Sequence, residues 1–173
     1  MTSVPIIFRQ EAEADFEAID ALLTAAFGQP GEAKLVRQLR DTTAYVPALA
    51  LVAEAEGNII GHILFTRLLV GPAYHPVLAL APMAVAPAQQ QEGVGSMLVM
   101  QGLQVASQHG FAAVVVLGHP NYYPRFGFEP ASQYGITCPF PVPDEAFMAM
   151  PLNDHSMEGI SGEVRYAPPF YEM

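Results

Sequence analysis

Near the middle of the chain, Gln90-Gln91-Glu92-Gly93-Val94-Gly95-Ser96 joins a polar loop to a helix-like apolar run. A helix start offers unpaired N–H groups and a partial positive charge, and both suit a phosphate. Glycines at 93 and 95 carry no Cβ, so a pyrophosphate can approach the backbone closely. Gln90 and Ser96 can add side-chain donors. Alone, two glycines before a helix also fit a flexible, capped turn. Two other phosphate loops are excluded. There is no third glycine at the dinucleotide spacing with an acidic residue ending a following strand, and there is no Gly-Lys-Ser/Thr.

The elements around this loop must position it. Val77 to Val85 is a strand-like apolar run, and its Pro82 lacks the N–H a ladder needs, which predicts an edge or a bulge there. Gly93 to His109 is the clearest helix, with Val94, Met97, Leu98, Gly102 and Val105 on one stripe and Gly110 as the stop. Phe111 to Leu117 is continuously apolar and reads as a central strand buried on both faces. Strand, helix and strand in this order predict a βαβ unit with parallel strands.

Upstream, Ile6 to Arg9 alternate weakly and open the sheet. Phe16, Ile19, Leu22, Leu23, Ala26 and Phe27 recur at helical spacing, with Asp15 as the expected cap and Gly28 as the stop. A short helix is expected over 32–40. Ala48 to Ala53 and Ile59 to Val70 flank Glu56-Gly57-Asn58 and read as a β-hairpin. Gly71-Pro72 breaks the second of these strands. The segment from Gly71 to Pro76 reads as either a loop over an acceptor site or an ordinary turn. Asn121 to Phe128 reads as a short helix or turn. Phe147 to Met150 and Gly162 to Tyr166 read as two more strands. The fold class is α/β (α+β), a three-layer domain with a mixed sheet, and residues 1–173 are expected to form one domain.

Whole-chain numbers narrow the function. Hydrophobic residues make up 51% and charged residues 14%, too apolar for a disordered chain. Seven basic against 17 acidic side chains give a net charge of −10, which argues against nucleic acid as a partner. The acidic balance mildly favours a cationic amine as partner. No apolar run reaches the ~20 residues of a membrane span, and the first residues show no secretory pattern. Cys138 is the only cysteine, so no intramolecular disulfide is available. The expected location is the cytoplasm. Cys138 reads as a buried structural thiol rather than a nucleophile. The five histidines show no metal-ligand spacing, so no metal is expected.

Two motifs now combine. Gln90-x-x-Gly93-x-Gly95, after a strand reading Met83-Ala84-Val85-x-Pro87, resembles motif A of the GNAT-type N-acetyltransferases. Tyr123-Pro124-Arg125-Phe126-Gly127-Phe128 resembles that family's Tyr-x-x-x-Gly-Phe signature after the fifth strand. The lead-in from Leu117 to Tyr122 and the closing Gly162-Glu163-Val164-x-Tyr166-x-Pro168-x-Phe170 are similar to one bacterial subgroup, the YhbS-like predicted acetyltransferases. The element order matches from about Ile6 onward.

The resemblance implies a GNAT-like sheet, mostly antiparallel and splayed between strands four and five. It implies acetyl-CoA in the gap, as co-substrate. The pantetheine arm would pair with the backbone of Met83, Ala84 and Val85. Gln90, Gln91, Glu92, Gly93, Val94, Gly95 and Ser96 would hold the pyrophosphate. An amine would attack the thioester directly, with a fourth-strand N–H stabilising the oxyanion. Tyr123 sits at the family's position for the acid that protonates the leaving thiolate.

The chain departs from the family pattern in two places. No Glu, Asp or His lies on the fourth strand, so the base is open. His119 at the end of the fifth strand is the first choice, and His62, Glu54 or an ordered water are the others. Glu92 stands where relatives often carry a basic residue, and it would repel a pyrophosphate unless it points to solvent. The expected activity is acetyl transfer to a small-molecule amine, such as a polyamine or an aminoglycoside, or to a protein N-terminus. The alternatives are a non-catalytic CoA-binding or interaction module, or a transferase using a longer acyl or aminoacyl donor. The family resemblance also carries an expectation of homodimers through the C-terminal strands.

Overall fold

The computed structural model describes residues 4–173. The first three residues of the expected 1–173 domain, and with them part of the N-terminal reading, lie outside the described residues. Strand β1 (Ile6–Gln10) pairs antiparallel with β2 (Tyr45–Ala55), and β2 with β3 (Asn58–Val70). Glu56 and Gly57 link β2 to β3 with φ of 52° and 79°. Positive φ at both central residues is the type I′ pattern that matches strand twist. Strand β4 (Ala73–Val85) continues the antiparallel run, starting four residues earlier than the apolar pattern suggested.

Helices lie on both faces. Helix α1 (Phe16–Phe27) and helix α2 (Gly31–Arg40) cover one face through Ile19, Leu23, Leu35, Val36 and Leu39, which pack on Ala50, Val52 and Leu64. Helix α3 (Val94–Gln108) covers the other through Val94, Leu98, Val99 and Leu103, which pack on Ile63, Phe65 and Leu78. The stripe on α3 is rotated from the expected one. Met97 is 41% exposed, and Val99, Leu103 and Ala106 are buried instead. Asp15 precedes α1 but does not cap it with its side chain. Its carboxylate accepts from the Ala12 N–H and from Arg9, closing the short turn before the helix.

Strand β5 (Ala113–Leu117) lies parallel to β4, as the strand–helix–strand order requires. On its far side it pairs antiparallel with β8 (Phe147–Pro151). Two short strands, β6 (Glu129–Pro130) and β7 (Ile136–Thr137), and β9 (Gly162–Arg165) complete the C-terminal part. β6 extends the sheet beyond β8, and β9 pairs with the end of β3 and with β7. The result is a three-layer α/β/α arrangement in which the short β7 and β9 pair parallel at the side and the main run of strands has its one parallel step between β4 and β5.

That step is short. Its pairs are Val77–Ala113, Leu78–Val114 and Ala79–Val115, and pairing stops there. From Leu80 onward β4 diverges from β5. A bulge starts at the same place. Between Leu80, opposite Phe65, and Met83, opposite Ile63, β4 carries one residue more than β3. The extra residue falls at Ala81-Pro82, where proline cannot join a ladder. It also shifts the alternation. Leu78 and Leu80 face the α3 layer before the bulge, and Met83 and Val85 face it after. A bulge therefore keeps large apolar side chains on α3 while the strand bends away from its neighbour.

Candidate active site

The divergence of β4 and β5 leaves a gap with unpaired backbone. Just before β5, Ala112 N–H donates to Pro76 O on β4 at 2.8 Å, and Ala86 N–H, just after β4, donates to Ile60 O on β3 at 2.8 Å. Strand alternation, reset by the bulge, then turns the N–H and C=O groups of Met83 and Val85 toward the gap. The Val85 carbonyl accepts only the Gln90 side-chain amide, at 3.1 Å. An extended ligand lying in the gap would find a strand edge there.

One end of the gap meets the start of α3. The first bond of this helix is Met97 N–H to Gly93 O at 3.1 Å, so the N–H groups of Val94, Gly95 and Ser96 have no intrahelical acceptor. Gly93 has φ of 87°, a conformation that costs other residues strain, and a Cβ there would meet nothing within 4 Å. Gln91 also adopts positive φ, 67°. Successive amides in such a loop curl into an anion-binding concavity. A Cβ on Gly95 would stand 3.4 Å from both Met83 Cε and Tyr122 Oη. Ser96 Oγ is 3.0 Å from Tyr122 Oη. Glu92 is exposed and lines a separate surface depression with Ile6, Ile59 and Gln89.

Tyr123 occupies the gap itself. It opens a 3-10 turn (Tyr123–Phe126) that ends at Gly127. Its ring packs edge-on against Tyr122 at 5.0 Å and Phe128 at 5.8 Å. A Cβ at Gly118 would sit 2.5 Å from this ring, so only glycine admits the tyrosine at that depth. Burial, and then the neighbouring Tyr122, pushes the Tyr123 hydroxyl up to about 12. It therefore holds its proton throughout the neutral range. Tyr123, Met83 and His119 line one cavity of about 420 Å³. Of the twelve expected site residues, the structure groups these three around the cavity. It places Gly93, Val94, Gly95 and Ser96 at the helix start and Gln90 against Val85. Glu92 points elsewhere.

Two of the base candidates are elsewhere as well. His62 is fully buried, with Nε2 2.9 Å from Glu11 Oε1 on the α1–α2 side of the sheet. Glu54 accepts from Arg9 Nε at 3.1 Å across the β1–β2 pair. Neither lines the cavity. The turn after β3, Gly71-Pro72, is an ordinary hairpin connection, and Tyr74 at the start of β4 lines a different depression with Arg67 and Arg165. Cys138 is half-buried rather than fully buried, and burial raises its thiol pKa. No cluster of three metal-ligating side chains occurs among the described residues. No described helix is long and apolar enough to cross a membrane.

Two features escaped the sequence reading, one on the cavity and one beside the helix start. Glu32, on the first turn of α2, is the acidic side chain on the cavity lining. Arg125 donates through Nε to Tyr122 O at 3.0 Å and lies 4.5 Å from the Tyr122 ring centroid. That puts a guanidinium one tyrosine ring away from Ser96. A basic residue inside the Tyr-x-x-x-Gly-Phe segment was the available signal.

Comparison with known proteins decides the family. Residues 16–128 match the model of the Acetyltransferase (GNAT) family. The chain belongs to the GNAT acetyltransferase family. Two uncharacterized N-acetyltransferases of Escherichia coli K12 are similar over nearly their whole length. YjhQ is 39% identical, covering 98% of this chain and 96% of its own. YhbS is 37% identical, covering 95% and 98%. The crystal structure of E. coli YhbS in complex with CoA superposes with a TM-score of 0.93 at 34% identity, over 99% of this chain and 94% of that one. A GNAT family acetyltransferase of Brucella melitensis in complex with acetyl-CoA gives 0.81 at 29% identity, over 97% and 99%. The GNAT expectation from the two sequence motifs is borne out, as are the mixed sheet and its parallel step.

Proposed function

We propose that this GNAT member moves an acetyl group from acetyl-CoA to a primary amine in a ternary complex. The observation that carries the reading is the short β4–β5 ladder. It ends at Ala79 and Val115, with a free strand edge, an exposed helix start and a protonated tyrosine around the opening it leaves. The co-crystallised relatives support the choice of acyl donor.

Acetyl-CoA supplies an activated acyl group as a thioester. The chain's own groups do the rest. Met83 and Val85 offer backbone donors and acceptors to the pantetheine arm, and Ala84 between them turns its side chain to the α1–α2 layer. The Val94, Gly95 and Ser96 amides, with Gln90 and Gln91, take the pyrophosphate. Arg125 adds positive charge that offsets the exposed Glu92. His119 accepts the proton that the amine must lose before it can attack. As the new C–N bond forms and the C–S bond breaks, Tyr123 gives its proton to the departing sulfur, and the second proton lost by the acylated nitrogen restores the Tyr123 hydroxyl.

A thermal midpoint measured with and without acetyl-CoA tests the donor, with AMP and pantetheine as controls. At ~100 times the dissociation constant the gain is about 2.7 kcal/mol, a rise of several degrees. No shift at millimolar acetyl-CoA would sink the reading and favour the longer-acyl or aminoacyl donor.

A further inference from the structure

The cavity that contains Tyr123 opens toward α1 and α2, and its outer wall is aromatic. The Phe140 ring stacks on Tyr166 with centroids 5.7 Å apart and planes at 17°. Tyr166 meets Phe170 at 5.1 Å. Leu35 and Phe27 contribute apolar surface from the helices. Burial, followed by Cys138 and Tyr171, raises the Tyr166 pKa, so its ring carries no charge. Among the described residues that line the cavity, Glu32 is the single acidic side chain, and none is Lys or Arg. The Gln29 amide holds Glu32 at 3.1 and 3.3 Å.

This lining discriminates between amines. One ammonium finds Glu32 and aromatic faces, both of which attract a cation. A second or third ammonium, or a ring of hydroxyls, would be desolvated with no partner. An apolar body gains about 25 cal/mol for each Å² it buries on the aromatic wall. The net charge of −10, which favours polyamines on the sequence alone, resides on the surface and not in this cavity. A volume of about 420 Å³ lies within the usual range for a small-molecule site.

We propose that the acceptor is a small primary amine with a single positive charge and one aromatic or branched apolar group. Glu32 draws in the ammonium, and Phe140, Tyr166 and Phe170 hold the apolar body. The inference rests on the acetyl-transfer reading for the role of the cavity, but amine binding itself needs no thioester.

Calorimetry on the full chain, with and without CoA, would compare 2-phenylethylamine, 3-methylbutylamine, spermidine, kanamycin and a hexapeptide with a free N-terminus. Thiol release from acetyl-CoA would follow for each. The two apolar monoamines should bind roughly tenfold or more tighter than the others, a difference of about 1.4 kcal/mol. Phe140→Ala should weaken 2-phenylethylamine by a similar factor, and Phe140→Leu, which keeps the fold's apolar volume, by less. Glu32→Gln should raise KM for the monoamines and leave kcat within about twofold, the mark of lost ground-state binding. Tighter binding of spermidine, kanamycin or the peptide would overturn the proposal, as would monoamine affinity unchanged by either Phe140 variant. The thermal shift with acetyl-CoA separates the two readings. Monoamine binding without that shift removes only the acetyl donor, and the shift without monoamine binding removes only this acceptor.

Discussion

The same sheet carries two polar regions that are built in opposite ways. Under β2 and β3, Glu11 is 6% exposed and accepts four hydrogen bonds. They come from Arg40 Nε and Nη2 at 3.0 and 3.2 Å, Tyr45 Oη at 2.6 Å and His62 Nε2 at 2.9 Å. Between β4 and β5, the Val85 carbonyl, the α3 amides and the Tyr123 hydroxyl have few or no fixed partners. In the first region every oxygen of a buried carboxylate is occupied, so the cluster locks α2 to the sheet. In the second, hydrogen-bonding capacity is left unused beside an apolar cavity. Stability comes from closing polar groups against each other, and binding capacity comes from leaving them open.

The largest effect should come from opening the closed region. Glu11→Ala would leave Arg40 and His62 buried without their anion, which costs about 3–5 kcal/mol. Urea unfolding should show it as a lower midpoint at unchanged slope, while CoA affinity at low temperature stays near wild type. Acid should attack the same point. Burial pushes the Glu11 pKa up, but bonds from His62, Arg40 and Tyr45 outweigh it and bring the carboxyl down to about 2. A folded value below the ordinary 4.5 means this contribution is complete above that pH and drains away as pH falls toward about 2. A urea midpoint flat from pH 5 to 3 in wild type would contradict the assignment.

Tyr123→Phe opens nothing and should leave stability almost unchanged, because the hydroxyl has no fixed partner to lose. Its effect should be on turnover, a fall in kcat of about 100-fold with acetyl-CoA binding retained. A variant that keeps full kcat would assign the tyrosine to packing alone, and the edge-on contacts with Tyr122 and Phe128 would then be its whole role.

The two regions also differ in how far the sequence reveals them. The open one is built from local features. Pro82 in a strand run forces the bulge, Gly93 before an apolar helix marks the helix start, and the strand–helix–strand order implies the parallel step. Tyr123 was legible through its resemblance to a family signature rather than through its own chemistry. The closed region joins Glu11, Arg40, Tyr45 and His62, which are 29 to 51 positions apart from Glu11 in sequence. No periodicity links such residues, and so His62 read as a free base. Asp15 shows the same limit. A carboxylate before a helix reads as a cap until Arg9, on a neighbouring strand, claims it. The aromatic wall likewise gathers Phe140, Tyr166 and Phe170 from segments without regular spacing.

Filling the open region should have a moderate effect. Gly95→Val would place side-chain atoms against Met83 and Tyr122, since a Cβ there already stands 3.4 Å from both. Acetyl-CoA affinity should fall by roughly tenfold or more, about 1.4 kcal/mol, while the melting temperature of the free protein moves little. Equal losses in binding and in stability would mean that the glycine serves helix packing and not a ligand.

Arg125→Ala should give the smallest change. Its guanidinium is exposed, stacks on Tyr122 and has no carboxylate partner among the described residues, so its removal breaks no salt bridge. An exposed cation facing a phosphate contributes ~0.2–1 kcal/mol, which is a loss of at most about fivefold in acetyl-CoA affinity. Salt should erase the difference, since a Debye length of about 3 Å at 1 M screens an exposed charge from its ligand. Titrations of wild type and variant in 0.05 M and 1 M salt would separate this electrostatic role from support of the Tyr122 ring. A deficit that persists at high salt would mean the arginine acts by holding Tyr122 against Ser96, and the cation that balances Glu92 would have to be sought elsewhere on the loop.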